Sequence, residues 1–330
     1  MSAKVVKLLL AIAIGRTLYK MLRRRQKVRR LLKEKADGKV AVVTGAASGV
    51  GRKIAILMAK KGWHVEAIDI NKVELDKLCQ LCLDEGLSVR GHHVDITSKV
   101  DLDKLSTKLE SNEVVAKQGI DCLVNCAAIL LCGNCFGGGA EQTERLIAVN
   151  LVAPVNLTRQ LLPMLLRGPN GGSVVNVSSI AGSIAWPWQG GYSITKFGMQ
   201  AFSESLRREA ACSGLNLRVA LIQPGPIDTP MVANLGDKFS RWIEDNPNDA
   251  FLPGARKTLE KLALGDRFIS SSNRWFFVDP SDIARAVYVA ALDASPEPMR
   301  CVMAPGFWPL YYALRYLPHE IADALLKEHL

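Results

Sequence analysis

The chain has 330 residues, of which 48% are hydrophobic and 22% are charged, and its formal net charge at neutral pH is +10. This composition excludes a disordered chain, a collagen and a small disulfide scaffold, and it fits one folded α/β domain of roughly 250 residues with extensions. Residues 1–35 hold twelve Lys or Arg and a single acid, Glu34. The rest of the chain is close to neutral, so the basic charge belongs to the N-terminal arm.

The arm, residues 1–36, is predicted to anchor the protein to a membrane surface. Its apolar stretch at residues 8–15 is far shorter than the roughly 20 residues of a spanning helix. From Arg16 onward the pattern is amphipathic, with basic residues on one side and apolar residues on the other, namely Leu18, Met21, Leu22, Val28 and Leu32. We therefore expect an interfacial helix on anionic lipid, with the catalytic domain on the cytosolic side of the endoplasmic reticulum.

Three other interpretations of the arm stay open or are disfavoured. A short, tilted signal anchor remains possible from the sequence, as does a mitochondrial presequence, although the arm is poor in Ser. No aromatic stacking platform accompanies the basic run, so we expect no nucleic-acid partner.

A glycine-rich turn follows the first predicted strand, residues 39–44. Gly45, Gly49 and Gly51 lie between this strand and a helical pattern. Glycines let the backbone approach a pyrophosphate, and the helix N-terminus supplies N–H donors and a positive dipole. The next strand ends in Asp69, about 20 residues beyond the turn, where a carboxylate accepts ribose hydroxyls and repels a 2′-phosphate. Ser48 supplies no compensating cation, so the sequence favours NAD over NADP.

The eight cysteines do not indicate a metal centre or a disulfide framework. Two C-x-x-C pairs occur, Cys79 with Cys82 and Cys132 with Cys135. The first pair lies on the apolar face of an amphipathic helical pattern, where Cys acts as a small hydrophobic residue. We therefore expect no metal, and the unpaired thiols favour a reducing compartment.

Strand and helix patterns alternate as far as about residue 303, with further strands at residues 63–68, 89–94, 121–125, 173–177 and 217–222. This order predicts an α/β fold of the Rossmann type, a doubly wound parallel sheet with helices on both faces. We expect one catalytic domain at residues 37–305, with a substrate lid at about residues 230–278. Residues 306–330 form a C-terminal extension that is rich in aromatic residues.

A tyrosine and a lysine four residues apart indicate acid–base chemistry. Tyr192 and Lys196 share one face of a predicted helix, so the ammonium could lower the pKa of the phenol. Moving that pKa from about 10 to about 7 requires roughly 4 kcal/mol of preferential phenolate stabilisation, which one close cation in a dry site can supply. Ser179 ends a strand thirteen residues upstream and offers a hydroxyl to hold a carbonyl; its neighbour Ser178 fits the spacing less well.

Together these motifs resemble the short-chain dehydrogenase/reductase family across roughly residues 38–305. The resemblance implies a catalytic tetrad, Asn150, Ser179, Tyr192 and Lys196, with Asn150 positioning a water in a proton relay to Lys196. It also implies that the residues contacting the cofactor are Thr44, Gly45, Ser48, Gly49, Val50, Gly51, Asp69, Asp95, Asn125, Ala127, Tyr192, Lys196, Pro224, Gly225, Ile227 and Thr229. The family motif Asn-Asn-Ala-Gly reads Asn-Cys-Ala-Ala at residues 125–128, so Ala128 adds a β-carbon near the cofactor.

The implied reaction is hydride transfer between nicotinamide and an alcohol or carbonyl group, with Tyr192 as general acid or base. The lid and tail are apolar and aromatic, and the chain resembles the branch of retinol, hydroxysteroid and membrane-bound 3-hydroxybutyrate dehydrogenases. We expect an apolar substrate such as a retinoid, a steroid or another lipid alcohol; the family also allows a homo-oligomer. One alternative is a mitochondrial 3-hydroxybutyrate-type dehydrogenase, for which Arg274 is a candidate pocket cation. Another is a catalytically silent NAD-binding scaffold at a membrane.

Overall fold

The computed structural model describes residue 19 and residues 22–135, 140–233, 235–265 and 276–329. Seven parallel strands form one sheet in the order β3-β2-β1-β4-β5-β6-β7. The strands are β1 (Val40–Thr44), β2 (His64–Asp69), β3 (Val89–His93), β4 (Cys122–Asn125), β5 (Gly172–Val177), β6 (Leu217–Pro224) and β7 (Met299–Val302). Predicted strand starts shift by one residue in several cases, and β6 extends two residues beyond its predicted end.

Some of the helices cover the two faces of the sheet, and others pack elsewhere on the body. They are α1 (residues 22–33), α2 (Gly49–Lys60), α3 (Lys72–Asp84), α4 (Lys99–Glu110), α5 (Glu113–Gln118), α6 (Ala140–Ile147), α7 (Ala153–Arg167), α8 (Gly190–Cys212), α9 (Pro230–Ala233), α10 (Leu235–Asp245), α11 (Leu252–Gly265), α12 (Pro280–Leu292), α13 (Trp308–Tyr316) and α14 (His319–His329). A π-helical turn, Ala148–Val152, joins α6 to α7, and short 3₁₀ turns occupy Ile180–Gly182 and Pro305–Phe307.

Two apolar cores lie on opposite sides of the sheet because successive strand residues point to opposite faces. One face packs against α2, α3 and α12, and the other packs against α4, α5 and α7. Val43 points into the first core, whereas its neighbour Val42 points into the second. The five strands between the edge strands β3 and β7 are mostly buried on both faces, and with helices on each side they confirm the predicted doubly wound α/β fold.

The chain order creates a crevice beside the central strand. From β1 the chain winds outward through β2 to β3, then returns to the other side of β1 to form β4. The connections that follow β1 and β4 therefore diverge at the carboxyl ends of these strands. Such a switch point is where open α/β sheets bind ligands.

The second half of the predicted arm packs on the body. In α1, Leu31 is 3% exposed, and Lys27 Nζ lies 2.5 Å from Asp293 Oδ1. Leu32, which was predicted to face the membrane, instead packs against the core formed by α2 and α12. The C-terminal part of the apolar side of α1 thus packs against protein, whereas Leu22 at its start is 59% exposed. Leu18 and Met21 of the predicted face lie outside the described residues.

Among the helices in the described part of the chain, none is both long enough and apolar enough to cross a bilayer. Cys79 and Cys82 lie on α3 as predicted, with Cys82 buried in the core. In the same described ranges, no three His, Cys, Asp or Glu side chains group as metal ligands would.

Candidate active site

The glycine turn between β1 and α2 is folded tightly on itself. A β-carbon on Gly51 would lie 2.0 Å from the Gly45 carbonyl oxygen, so no larger residue fits there without moving the backbone. Gly45 and Gly49 have positive φ angles, 68° and 50°, which favour glycine. The turn therefore requires glycine at all three predicted positions.

The N-terminus of α2 opens into the crevice. Ser48 is its N-cap residue but makes no side-chain capping hydrogen bond, and the first turn carries no acid. The free amides and the helix dipole favour an anion at this position.

Two polar side chains hold the ends of the strands around the crevice. Thr44 Oγ1 accepts hydrogen bonds from the amides of Cys126 and Ala127, both at 3.0 Å, and so joins the ends of β1 and β4. The Asp69 carboxylate accepts from Ala47 N and Asn71 N, both at 2.9 Å. These bonds orient Asp69 at the carboxyl end of β2, beside the glycine turn.

A cavity of about 310 Å³ occupies the crevice. The predicted site residues that line it are Gly45, Ser48, Gly49, Val50, Gly51, Asp69, Asp95, Ala127, Tyr192, Lys196, Ile227 and Thr229. The cavity thus runs from the glycine turn to the predicted acid–base pair.

The cavity also has lining residues that the motifs did not identify. Its apolar wall includes Ile70, Val94, Ile96 and Val149. Arg145 adds a cation from α6 and is exposed. Arg145 and Val149 are four residues apart, so they share a helical face. This spacing is the feature of the sequence from which their common position could have been predicted.

Tyr192 and Lys196 lie on successive turns of α8. Lys196 is 2% exposed; its Nζ lies 5.4 Å from the centre of the Tyr192 ring and donates to the Val177 carbonyl at 3.2 Å. Ser179 Oγ accepts from Ala181 N at 3.1 Å and caps the 3₁₀ turn after β5. Ser178 is buried and donates to the Lys196 carbonyl, and it lines the cavity, whereas the predicted Ser179 does not.

Burial dominates the titration of this pair. It raises the pKa of Tyr192 to about 12, and hydrogen bonding with Ser179 only partly opposes this rise. Burial also lowers the pKa of Lys196 to about 8. The sequence predicted a lowered phenol pKa, but in this structure the loss of solvation on burial raises the pKa of Tyr192.

Asn150 lies at the π-helical turn, an irregularity that is frequent at functional sites. Its Oδ1 accepts from Ile129 N at 2.8 Å, and its Nδ2 donates to Ile129 O at 2.9 Å and to Thr195 Oγ1 at 3.3 Å. Asn150 therefore joins the segment after β4 to α8. It does not itself line the cavity.

Four of the predicted cofactor residues likewise do not line the cavity: Thr44, Asn125, Pro224 and Gly225. Asn125 Nδ2 donates to Asn176 Oδ1 at 2.8 Å and to Thr158 Oγ1 at 3.1 Å, within a buried polar network. Gly225 N donates to the Val302 carbonyl at 2.8 Å, which fixes the segment before Ile227 against β7. These residues position the wall.

The predicted lid packs on the segment that leads to Tyr192. Trp188 has a φ of 63°, unusual for a residue other than glycine, and its ring centre lies 5.5 Å from Phe239 and 6.1 Å from Trp242. Its indole N–H donates to Thr258 Oγ1 at 3.1 Å. Trp188 thus links α10 and α11 to the catalytic helix. Arg274 lies outside the described residues.

The residues present fit a dinucleotide. The glycine turn leaves no room for side chains, α2 offers free amides for a pyrophosphate, and Asp69 stands where a ribose carboxylate partner is required. The apolar wall suits a flat heterocycle. The opposite end of the cavity holds Tyr192 and Lys196, so a redox ring bound there would lie beside the acid–base pair.

Comparison with known proteins agrees with this geometry. A family model described as short chain dehydrogenase matches residues 39–239. The chain is 37% identical over 263 residues to 3-oxoacyl-[acyl-carrier-protein] reductase FabG of Thermotoga maritima, covering 78% of this chain and 92% of that protein. It is 30% identical over 305 residues to the uncharacterized oxidoreductase YbbO of Escherichia coli, covering 91% and 98%.

Solved structures show the same fold. Levodione reductase matches with a TM-score of 0.66 and 21% identity, covering 83% of this chain and 98% of that chain. Actinorhodin polyketide ketoreductase with NADPH matches with a TM-score of 0.63 and 25% identity, covering 81% and 97%. These similarities do not single out the retinol and hydroxysteroid branch.

Proposed function

Because the chain belongs to the short-chain dehydrogenase family, we propose that it transfers a hydride between NAD and the alcohol or carbonyl carbon of an apolar, lipid-like substrate. The family and its oxidoreductase relatives make the protein an alcohol or carbonyl oxidoreductase. The observation that carries the proposal is one cavity lined at one end by the glycine turn and Asp69 and at the other by Tyr192 and Lys196.

In the proposed mechanism Tyr192 moves the proton. When bound, the nicotinamide accepts or supplies the hydride. The Tyr192 hydroxyl donates its proton to the substrate oxygen during reduction, and the phenolate takes that proton back during oxidation. Burial raises the pKa of Tyr192 to about 12, so the hydroxyl carries its proton near neutral pH and must lose it before it can act as the base in oxidation.

The other members of the tetrad support this proton transfer. Lys196 supplies a positive charge beside the phenol and would hold the nicotinamide ribose. Ser179 would orient the substrate oxygen, since hydrogen bonding links it to Tyr192. Asn150 would act through position: its amide holds Ile129 and Thr195, and Thr195 Oγ1 in turn donates to the Tyr192 carbonyl at 2.7 Å.

NAD rather than NADP is proposed because Asp69 faces the cavity. A carboxylate there repels a 2′-phosphate. Two solved neighbours were crystallised with NADP forms, a Thermococcus sibiricus alcohol dehydrogenase and the actinorhodin ketoreductase, and Arg145 is a cation on the same cavity. The two cofactors should therefore be compared directly in the wild type, in Asp69→Ala and in Arg145→Ala.

The lid supports an apolar substrate. Phe239, Trp242 and Ile243 form a buried apolar cluster with Cys132 from the segment after β4, and Met231 of the predicted lid lines the cavity. The relative FabG is named for a substrate with an acyl chain, a 3-oxoacyl group. Retinoids, steroids and other lipid alcohols share the apolar character that this cluster would accept.

We further propose that the arm attaches the protein to an anionic membrane surface, with the body on the cytosolic side of the endoplasmic reticulum. Support comes from three exposed arginines of α1 that form no ion pair among the described residues, Arg23, Arg25 and Arg29. A mitochondrial location remains the alternative to be tested.

The test is NADH formation by the detergent-solubilised full chain with a retinol, a hydroxysteroid and 3-hydroxybutyrate, each with NAD and with NADP. We expect turnover of a lipid alcohol with NAD, and a loss of about 10³-fold or more in Tyr192→Phe because no other group supplies the proton. Tyr288→Phe is the matched control, since its hydroxyl bonds the Glu34 carbonyl, remote from the cavity.

Other outcomes would redirect the proposal. Turnover of 3-hydroxybutyrate alone would overturn the lipid substrate and favour the mitochondrial alternative, while the mechanism would stand. Tight NADH binding without turnover of any of these substrates would favour the catalytically silent scaffold.

A further inference from the structure

A second, larger cavity lies between α1 and the segments around β7. Its volume is about 680 Å³, and it is bounded by α1, the start of α12, the end of β7 and the turn before α13. Val28, Leu32 and Trp308 supply apolar wall, and Arg300 supplies a cation from β7. Val302 and Val278 also line it, so this cavity backs onto the segment that carries Ile227 to the first cavity.

Arg300 is a partly buried cation that has no counter-ion among the described residues. Within the described ranges, its guanidinium makes no hydrogen bond or ion pair. Burial lowers the pKa of Arg300. The acids nearest to it, Asp293 and Glu297, pair with Lys27 and Arg24 of α1. A guanidinium stays charged under these conditions, and a partly desolvated, unpaired charge costs stability. Such a cost is offset when an anion binds.

The neighbouring charges do not fill this role. On α1, Arg24 pairs with Glu297, and its pKa is lowered by burial and by the positive charge of Arg300. Lys27 pairs with Asp293 at 2.5 Å.

The acids at the start of α12 are also engaged. Asp282 pairs with Arg285 on the same helix, and Asp279 Oδ1 accepts from Ser281 N at 2.7 Å as the N-cap. Asp282 is thus paired with a cation and Asp279 caps a helix, whereas Arg300 has no ion pair among the described residues.

We propose that this cavity binds an amphiphile with an oxyanion headgroup, which contacts Arg300 while its acyl chain lies along Val28, Leu32 and Trp308. A guanidinium binds phosphate or carboxylate through two parallel hydrogen bonds, which suits a single headgroup. The apolar wall on the α1 and α13 sides suits the chain. The ligand comes either from a bilayer or from solution, and the shared chemistry is the anionic head with one apolar tail.

The test measures binding to the full-length protein by Trp fluorescence and by thermal unfolding. The probes are a monomeric lysophosphatidic acid, inorganic phosphate, and vesicles of phosphatidylcholine with and without phosphatidic acid. We expect the lysolipid to bind, and Arg300→Gln to weaken that binding at least tenfold. Arg159→Gln, an exposed arginine on α7 that bonds only Asn156 among the described residues, is the control and should bind as the wild type does.

A second readout separates the site from a general loss of structure. Without ligand, Arg300→Gln should unfold at a higher temperature than the wild type, because an unpaired, partly buried charge has been removed. With saturating lysolipid the order should reverse. Equal lysolipid binding by wild type and Arg300→Gln would overturn the proposal. Inorganic phosphate binding as tightly as lysolipid would overturn the role of the tail, and vesicle binding without lysolipid binding would assign lipid contact to the exposed arginines of α1 instead.

Discussion

The two ends of the first cavity are built in different ways. At the cofactor end, most contacts involve the backbone. Thr44 and Asp69 accept hydrogen bonds from main-chain amides, and Gly51 lies against the Gly45 carbonyl. At the substrate end, side chains from segments far apart in sequence pack on one another, with Trp188 against Phe239 and Trp242. Backbone requirements restrict the residue type at one position, whereas side-chain packing accepts many combinations. The cofactor end is therefore expected to tolerate substitution far less than the substrate end.

The largest effect should come from Gly51→Ala. Its β-carbon would lie 2.0 Å from the Gly45 carbonyl oxygen, so the turn must open. We expect the free energy of unfolding to fall by about 3 kcal/mol or more and NADH affinity to drop by at least 100-fold, measured by urea unfolding and by fluorescence titration. Gly86→Ala is the control, because its β-carbon meets open space and only the positive φ of 67° costs stability. Equal losses in both variants would show that crowding at the turn is not the cause.

This contrast also explains what the sequence could predict. The buried strands and the glycine turn have local patterns, so the doubly wound fold, the three glycines and Asp69 follow from spacing. The remaining cavity residues, such as Asp95 and Thr229, were predicted only through the resemblance to the family. Asn125 belongs to a motif of the family, but its amide faces Asn176, a contact between two strands that no local pattern encodes. The position of Trp188 over the lid depends on a left-handed backbone that a tryptophan rarely adopts. Similarly, Leu32 matched a membrane-facing pattern because the sequence does not show that α12 covers that face.

Lys196→Met should abolish activity and at the same time make the protein more stable. Lys196 lies where the two ends of the first cavity meet. Burial lowers the pKa of Lys196 from 10.5 to about 8, so below pH 8 the lysine is charged in both states and its burial costs the folded state about 3 kcal/mol. Replacing the ammonium removes this cost and also a hydrogen bond to Val177 worth about 1 kcal/mol. We expect activity to be lost while unfolding near neutral pH becomes harder by about 2 kcal/mol.

The pH dependence of the free energy of unfolding tests whether the buried ammonium of Lys196 causes this difference in stability. In the wild type, stability relative to Lys196→Met should rise between pH 8 and about 10.5, as the buried lysine loses its proton before the unfolded chain does. Lys108→Met, on an exposed face of α4, is the control and should follow the wild type at every pH. A difference between wild type and Lys196→Met that does not change with pH would contradict a desolvated ammonium.

Trp188→Ala should weaken the substrate end alone. Removing the ring takes away its contacts with Phe239 and Trp242 and the hydrogen bond to Thr258, so α10 and α11 lose their attachment to the segment before Tyr192. We expect KM for an apolar alcohol to rise about 10-fold and the free energy of unfolding to fall by about 2 kcal/mol, with NADH affinity unchanged. Trp188→Phe retains most of the packing and should recover most of the loss in KM. A parallel loss of NADH affinity would mean that the two ends are not independent.

Gly254→Ala should change the free energy of unfolding least. The change should be an increase, opposite in sign to the decrease expected for Gly51→Ala. A β-carbon on Gly254 of α11 would lie 3.5 Å from Trp188 Cζ2, which is ordinary van der Waals contact. Alanine also lowers the conformational entropy that a helical position loses on folding. We expect the free energy of unfolding to rise by about 0.5–1 kcal/mol with KM unchanged or slightly lower, measured by urea unfolding and initial rates. The gain should vanish in the Trp188→Ala background to the extent that it comes from contact with the ring, and a gain that persists in full there would come from the helix alone.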